Sequence, residues 1–154
     1  MWRGFGQCEI MDMISPLGAV YQAGTLSGNP VAMAAGIASL SKIYASSGLY
    51  ERLGGLARRL TDGLCAIAQR RGIALQTACV GSMFGYFFAD EEVRDYDGAL
   101  RADTARFAKF HGEMIKRGVF LAPSQFETGF ICATMNETQI DFALNAADEA
   151  MAAL

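Results

Sequence analysis

Apolar residues recur along this chain with two different periods, and each period predicts one kind of element. In residues 49–71, leucines and isoleucines repeat every three or four positions between arginines, which predicts an amphipathic helix. Gly72 follows at the position where a helix commonly ends on a glycine. Residues 73–79 and 82–88 are rich in Ile, Val, Phe and Tyr, and they predict two strands joined around Val80 and Gly81.

A third helix is predicted from Asp103, a good N-terminal cap, to about Arg117. The residues that its spacing places on the inner face are Phe107, Phe110, His111 and Met114. Because His111 lies on this apolar face, we interpret it as a core histidine with a satisfied hydrogen bond and not as a general base. The acidic stretch 89–102 predicts a loop that either covers a site or is a plain solvated connection.

Short strands and a last helix complete the pattern. Residues 119–121 and 130–134 are predicted as strands. Thr138 and Asp141 have the spacing of a capping box, and the apolar positions that follow helical spacing after them are Ile140, Leu144, Ala147, Met151 and Leu154. Alternating helices and short strands in this order predict an α+β fold in which helices cover a small sheet.

The first 46 residues show a different pattern. A short helix is predicted over 9–14 and a short strand over 20–22. Residues 30–46 predict a helix that is apolar nearly all round, with Asn29 as its cap and Pro30 at its first position. A helix without a polar face is expected to lie buried between layers.

A loop rich in glycine and hydroxyl groups, residues 21–30, leads into that helix. Gly24, Thr25, Ser27 and Gly28 place N–H and hydroxyl donors near the positive end of the helix dipole, an arrangement that favours an anion such as a phosphate. The residues alone equally suit a loop that only caps the helix, and Ser27 is interpreted with Asn29 as part of that cap.

Composition and charge narrow the class of protein. The 154 residues suit one domain, and 52% hydrophobic with 19% charged residues indicate a globular chain. The net charge of −3 leaves no basic patch for nucleic acid, and no apolar run has the length of a membrane span. Four scattered cysteines and a single histidine argue against a metal site. We expect Cys65, Cys79 and Cys132 to be buried reduced thiols, which favours a cytoplasmic setting.

Three separated blocks carry a family resemblance. Residues 21–36, 80–85 and 118–130 resemble, in the same order, the glutamate-1-semialdehyde 2,1-aminomutases, class III aminotransferases that use pyridoxal 5'-phosphate (PLP). The resemblance begins at about Gly4, reaches the C-terminus, and covers only the C-terminal third or so of a family enzyme. It implies the small, mostly antiparallel C-terminal domain of a fold-type I PLP-dependent transferase in residues 29–154. It also implies that residues 1–28 are a remnant of the large PLP-binding domain and include its phosphate-binding loop.

The resemblance also implies roles for particular residues. Gly24 and Thr25 are expected to bind the cofactor phosphate of the neighbouring subunit in a homodimer. Glu127, and more weakly Ser124, are expected to position or gate a small amino-acid aldehyde substrate, although by its residue type alone Glu127 is an ordinary exposed loop acid.

The lysine that forms a Schiff base with the cofactor has no counterpart in the chain. In the family it lies upstream of the segment that matches Gly4-Phe5-Gly6, and none of Lys42, Lys109 and Lys116 matches its position. We therefore expect no catalytic residue in this chain and no activity of the chain by itself.

The function that the resemblance implies is an isomerase reaction, in which an amino group moves within glutamate-1-semialdehyde to give 5-aminolevulinate, the precursor of tetrapyrroles and porphyrins. Two alternatives stay open: another class III aminotransferase, acting on an ω-amine or a β-amino acid, and a non-catalytic dimerisation module. Residues 131–136 depart from the family pattern, which weakens the assignment of the exact substrate.

Overall fold

The computed structural model of the protein describes residues 6–154. The chain forms two compact units, Met1–Ser46 and Ser47–Leu154, called here the N-terminal and the C-terminal unit. Gly4 and Phe5, where the family resemblance begins, lie outside the described residues. The assignment of residues 1–28 to a cofactor-binding domain and of 29–154 to a small domain therefore stays a prediction.

The N-terminal unit contains two helices among its described residues, α1 (Cys8–Met11) and α2 (Pro30–Ala45). The first is shorter than the predicted helix 9–14 because Ile14 pairs with Val20 in an isolated parallel bridge. The predicted strand 20–22 is wrong, because this segment pairs with the rest of residues 6–154 only through the single bridge of Val20 to Ile14.

Helix α2 begins as its sequence predicts. Asn29 Oδ1 accepts the N–H groups of Val31 and Ala32 at 3.0 and 3.1 Å, and Pro30 occupies the first helical position. The predicted burial of this helix is wrong, because none of its residues is buried. An apolar helix becomes buried only where other elements supply a surface on each of its sides.

The C-terminal unit has the predicted α+β fold. Its elements in chain order are α3 (Leu49–Arg70), β1 (Gln76–Val80), β2 (Met83–Phe87), α4 (Tyr96–Leu100), α5 (Thr104–Lys116), β3 (Gly129–Phe130) and α6 (Glu137–Ala152). The strands form one sheet in the order β1-β2-β3, and both neighbouring pairs are antiparallel. No helix among residues 6–154 is both long and apolar enough to cross a membrane.

A tight hairpin joins β1 to β2. Val80 pairs with Met83, and Gly81 between them has φ of +59°, a left-handed conformation that suits glycine. Strand alternation turns Phe84 and Tyr86 to the buried face of the sheet. On the next strand Gly129 pairs with Phe84, whose ring fills the space that a side chain at position 129 would need.

The core lies between the sheet, α3, α5 and α6. The regular stripe predicted for α3 is confirmed, with its leucines and Ile67 buried. Phe110 on α5 is fully buried and makes edge-to-face contacts with Tyr86 and Phe88 at ring-centroid distances of 5.7 and 5.5 Å. His111 is half-buried, and a ring nitrogen lies 3.1 Å from the Leu121 carbonyl oxygen, which confirms its interpretation as a satisfied histidine.

Several predicted boundaries are wrong in the second half. Residues 119–121 form no strand, and β3 ends at Phe130 instead of continuing to residue 134. The capping box of α6 lies two residues earlier than predicted, because Asn136 and Gln139 exchange side-chain and backbone hydrogen bonds at 3.3 and 2.8 Å. Asp141 instead forms an ion pair with Arg59 of α3 at 2.7 Å.

Two further predictions are corrected. The stretch 89–102, predicted as a loop, contains helix α4, which Asp95 caps by accepting the Gly98 N–H at 2.7 Å. Cys132, predicted as buried, is exposed just after β3. The Thr134 hydroxyl, 3.2 Å from its sulfur, and nearby backbone N–H groups lower the pKa of this thiol.

Candidate functional site

The loop before α2 closes two successive turns on itself. The Gly24 carbonyl accepts the Ser27 N–H at 2.9 Å, and the Leu26 carbonyl accepts the Asn29 N–H at 3.1 Å. Gly28 has φ of +76°, which a glycine adopts without strain. Thr25 is exposed, and among the described residues neither its N–H nor its hydroxyl has a hydrogen-bond partner.

The first N–H groups of α2 are largely satisfied inside the chain. Asn29 accepts those of Val31 and Ala32 through its side chain, and that of Met33 at 2.9 Å through its carbonyl. An anion at this loop would therefore depend on the free donors of Thr25 and its neighbours together with the helix dipole. Gly24 suits such a loop, since a side chain at this position would collide with Ser27 Oγ. The exposed donors fit a phosphate group.

Glu127 and Ser124 lie on one turn of the C-terminal unit. The Glu127 N–H donates to the Ser124 carbonyl at 3.1 Å, and the Phe126 N–H donates to Ser124 Oγ at 3.2 Å. The Glu127 carboxylate is exposed and forms no ion pair within residues 6–154. The structure thus brings the two predicted substrate residues together and leaves the carboxylate open to a cation.

Both residues line a cavity of about 480 Å³. Its other walls are mostly apolar and come from β2, α5, the segment after α5, and α6, with Phe84, Tyr86, Phe107, Leu121, Ile140 and Phe142 among them. Burial raises the pKa of the Tyr86 phenol, so that this group stays neutral at the cavity wall. Among the residues that line this cavity, Glu127 is the one with a carboxylate side chain.

Gln125, between the two predicted residues, was not predicted to matter. Its side chain is turned inward and only 5% exposed. The Nε2 group donates to the Ala99 carbonyl in α4 at 3.0 Å, whereas Oε1 has no hydrogen-bond partner among the described residues. The sequence gives no sign of this burial, because a glutamine in a polar turn is normally solvated.

The three lysines take no part in this site. Lys42 lies in the last turn of α2 and is exposed, as is Lys109 on α5. Lys116 forms an ion pair with Glu113 at 2.6 Å. None of the three lines the cavity that Glu127 lines.

Comparison with known proteins supplies the family context. No protein-family model matches the chain. A glutamate-1-semialdehyde 2,1-aminomutase of Campylobacter hominis is 65% identical over 144 residues, which are 94% of this chain and 32% of that protein. The protein of the same name from Campylobacter fetus is 58% identical over 146 residues, 95% of this chain and 34% of its own length. The chain spans about a third of the length of these curated relatives.

Solved structures agree on the fold. A glutamate-1-semialdehyde aminomutase from Pseudomonas aeruginosa superposes with a TM-score of 0.73 at 19% identity, over 94% of this chain and 32% of that one. An omega-transaminase from Sphaerobacter thermophilus gives 0.71 at 22% identity, over 96% of this chain and 34% of that one. At such identities the likeness shows the fold alone. Sequence and structure together confirm that this chain resembles a C-terminal part of the glutamate-1-semialdehyde 2,1-aminomutases and has the fold of the PLP-dependent aminotransferases.

Proposed function

We propose that the chain is the C-terminal part of a glutamate-1-semialdehyde 2,1-aminomutase, which moves an amino group within its substrate to give 5-aminolevulinate. The observation that carries the proposal is the 65% identity over 94% of the chain to a protein of that name. The chain supplies a phosphate-binding loop and one side of the substrate site, and the Schiff-base lysine belongs to the rest of the polypeptide. The enzyme works as a homodimer in the cytoplasm.

Gly24 and Thr25 are the residues of this chain that would hold the cofactor, PLP. The free N–H and hydroxyl of Thr25 would donate to the phosphate group, in the site of the partner subunit, and Gly24 would leave room for the Ser27 side chain beside it. When bound, PLP supplies the electron sink that amino-group transfer needs. The free donors on an exposed turn support this role.

Glu127 would position the substrate, a small amino-acid aldehyde. Its carboxylate accepts hydrogen bonds from the substrate amino group, and a charge-assisted bond of this kind fixes both position and orientation. Ser124 shapes the turn from which the carboxylate extends, because its carbonyl and hydroxyl oxygens both accept backbone N–H groups of that turn. The mostly apolar cavity behind them suits the aliphatic part of a small substrate.

The decisive experiment uses the complete polypeptide loaded with PLP. We expect 5-aminolevulinate to form from glutamate-1-semialdehyde without any added amino donor or acceptor. Product that appears only when an amino acceptor is added would overturn the proposal and favour a class III aminotransferase acting on an ω-amine or a β-amino acid. A polypeptide that dimerises but shows neither reaction would favour a non-catalytic dimerisation module.

Matched variants test the two residue roles in the same assay. Thr25→Val removes one donor and should weaken PLP binding about tenfold, whereas Ser27→Ala on the same loop should leave it unchanged. Glu127→Gln should raise KM for the substrate about tenfold, and Glu91→Gln on the exposed acidic stretch should not. Equal effects within either pair would contradict the assigned role.

A further inference from the structure

Among residues 6–154, the turn that carries Ser124 and Glu127 has one hydrogen bond to a segment outside the turn. Within residues 122–128 the backbone bonds stay local, from Phe126 and Glu127 back to Ser124. The exception among the described residues is the bond from Gln125 Nε2 to the Ala99 carbonyl at 3.0 Å, which spans 26 positions of the chain. This bond is therefore the turn's hydrogen-bonded link to a distant part of the fold.

Helix α4 is a suitable anchor for that bond because it is itself fixed at both ends. Asp95 caps its first turn by accepting the Gly98 N–H, and Ala99 is only 7% exposed. Just beyond the helix, the Asp103 N–H donates to the Phe88 carbonyl at 2.8 Å, directly after β2. The Ala99 carbonyl is therefore held in a constant place relative to the sheet.

A second contact joins the same two segments. The rings of Tyr96 on α4 and Phe126 on the turn lie 5.9 Å apart with a tilt of 46°. Successive residues of the turn, Gln125 and Phe126, thus contact α4 through a polar bond and an aromatic pair. Glu127 follows immediately, and its N–H donates to the Ser124 carbonyl, so its backbone is tied to the segment that these two contacts hold.

The burial of Gln125 also indicates that its hydrogen bond to Ala99 matters. Its Oε1 atom is buried without a partner among the described residues, and an unsatisfied buried acceptor lowers stability. An apolar side chain of similar length would avoid that loss. A glutamine at this position is therefore better explained by the bond that its Nε2 group makes than by packing.

We infer that Gln125 is a positioning residue, which ties the Ser124–Glu127 turn to helix α4 and thereby holds the Glu127 carboxylate at the cavity. The inference rests on the proposed role of Glu127 in binding the substrate. It assigns a function to the stretch 89–102 as well, since this stretch anchors the site through the Ala99 carbonyl.

The first test is kinetic and uses the complete, PLP-loaded polypeptide. Gln125→Met removes the donor and the unsatisfied acceptor together, so the thermal midpoint should change little while KM for glutamate-1-semialdehyde rises about fivefold and kcat stays within about twofold. Gln69→Met, on the exposed face of α3, is the matched control and should change none of the three values.

A double-mutant cycle then asks whether Gln125 acts through Glu127. In a Glu127→Gln background, the Gln125→Met change should raise KM no further, because the group being positioned is already lost. Fully additive effects would overturn the inference. Should Gln125→Met fold poorly, Gln125→Asn, which is too short to reach Ala99, takes its place in the cycle.

A second measurement needs no activity and uses the 154-residue chain. In Gln125→Met, hydrogen exchange at the amides of Phe126 and Glu127 should accelerate about tenfold or more, while amides of β1 and β2 keep their protection. Unchanged exchange at the turn refutes the inference whatever the enzyme does. If exchange accelerates but the complete polypeptide makes no 5-aminolevulinate, the positioning role of Gln125 stands and the proposed function alone is refuted.

Discussion

Helices α2 and α3 follow each other in the chain and differ completely in what they bury. Helix α3 buries nine residues along one stripe, which the sheet and α6 cover, while its arginines face outward. Helix α2 is the more apolar of the two and buries none. Apolar content therefore did not decide burial here. An amphipathic stripe is satisfied by neighbours on one side, whereas an all-round apolar helix needs partners on every side.

The two units also differ in how much apolar surface they bury. The buried core among residues 6–154 lies entirely in the C-terminal unit, so the free energy of unfolding should depend on that unit. The N-terminal unit instead presents exposed apolar side chains and the free donors of the Thr25 loop. Matched substitutions, one in each unit, test this difference.

The largest effect is expected from truncating one leucine in each helix. Leu64→Ala in α3, where the side chain is 4% exposed, should lower the free energy of unfolding by about 2–5 kcal/mol. Leu40→Ala in α2, where it is 68% exposed, should change it by about 0.5 kcal/mol or less. Urea unfolding followed by circular dichroism measures both. Similar losses for the two variants would contradict the expectation that stability follows the burial of each leucine.

A smaller effect is expected from removing one asparagine cap in each unit. Asn136→Ala should cost about 1 kcal/mol in the same unfolding experiment, because it removes the cap of α6, which packs in the core. Asn29→Ala removes an equivalent cap from α2 and should instead speed hydrogen exchange in that helix. A clear drop in the unfolding midpoint for Asn29→Ala would contradict the expectation that α2, which buries no residue, contributes little to the free energy of unfolding.

The smallest effect concerns pH. A hydrogen bond from Arg71 and the charges of Arg71 and Arg70 lower the pKa of Asp148 on α6 below its ordinary value of 3.8. The ionised group therefore contributes stability above about pH 4, and this contribution is lost as pH falls through the lowered pKa. At pH 7 the unfolding midpoint of Asp148→Asn should lie below that of the original chain, and this difference in midpoint should shrink as the pH falls towards 3.

The control for this pH series is Asp62→Asn, whose carboxylate has no ion pair within the described residues. Its unfolding midpoint should follow that of the unchanged chain at every pH. An Asp148→Asn gap that stays constant from pH 7 to pH 3 would show that the pairing with Arg71 does not contribute to stability, as exposed ion pairs often do not.

Local signals predict most of the helices and strands and several of the residues at which they begin or end. The leucine stripe of α3, the strands around Gly81 and the caps Asn29 and Asp103 are all visible in the sequence, because each depends on residues only a few positions apart. The predicted start of α6 is wrong because Asn136 and Gln139, and not Thr138 and Asp141, form the capping box. Asp141 forms an ion pair with Arg59, which lies 82 positions away in the chain, and Asn136 caps the helix.

Part of the candidate site could likewise be predicted from neighbouring residues, and part could not. Glu127 and Ser124 could be placed in one site from the sequence because they lie on one turn. The loop around Thr25 could be predicted as an anion site because it directly precedes a helix. That Gln125 is buried against Ala99, and that its neighbours line a cavity, could not be predicted, since both depend on segments that meet only in the folded unit.

Periodicity, caps and motifs are encoded over short distances, so the class of fold, most helices and strands, and the family that the chain resembles can be predicted from the amino-acid sequence. Which apolar faces are covered, which acid pairs with which arginine, and what holds the turn of Glu127 in place become visible in the folded chain alone. Those outcomes depend on contacts between distant segments, and each contact forms only where the packing of the others leaves the right atoms within reach.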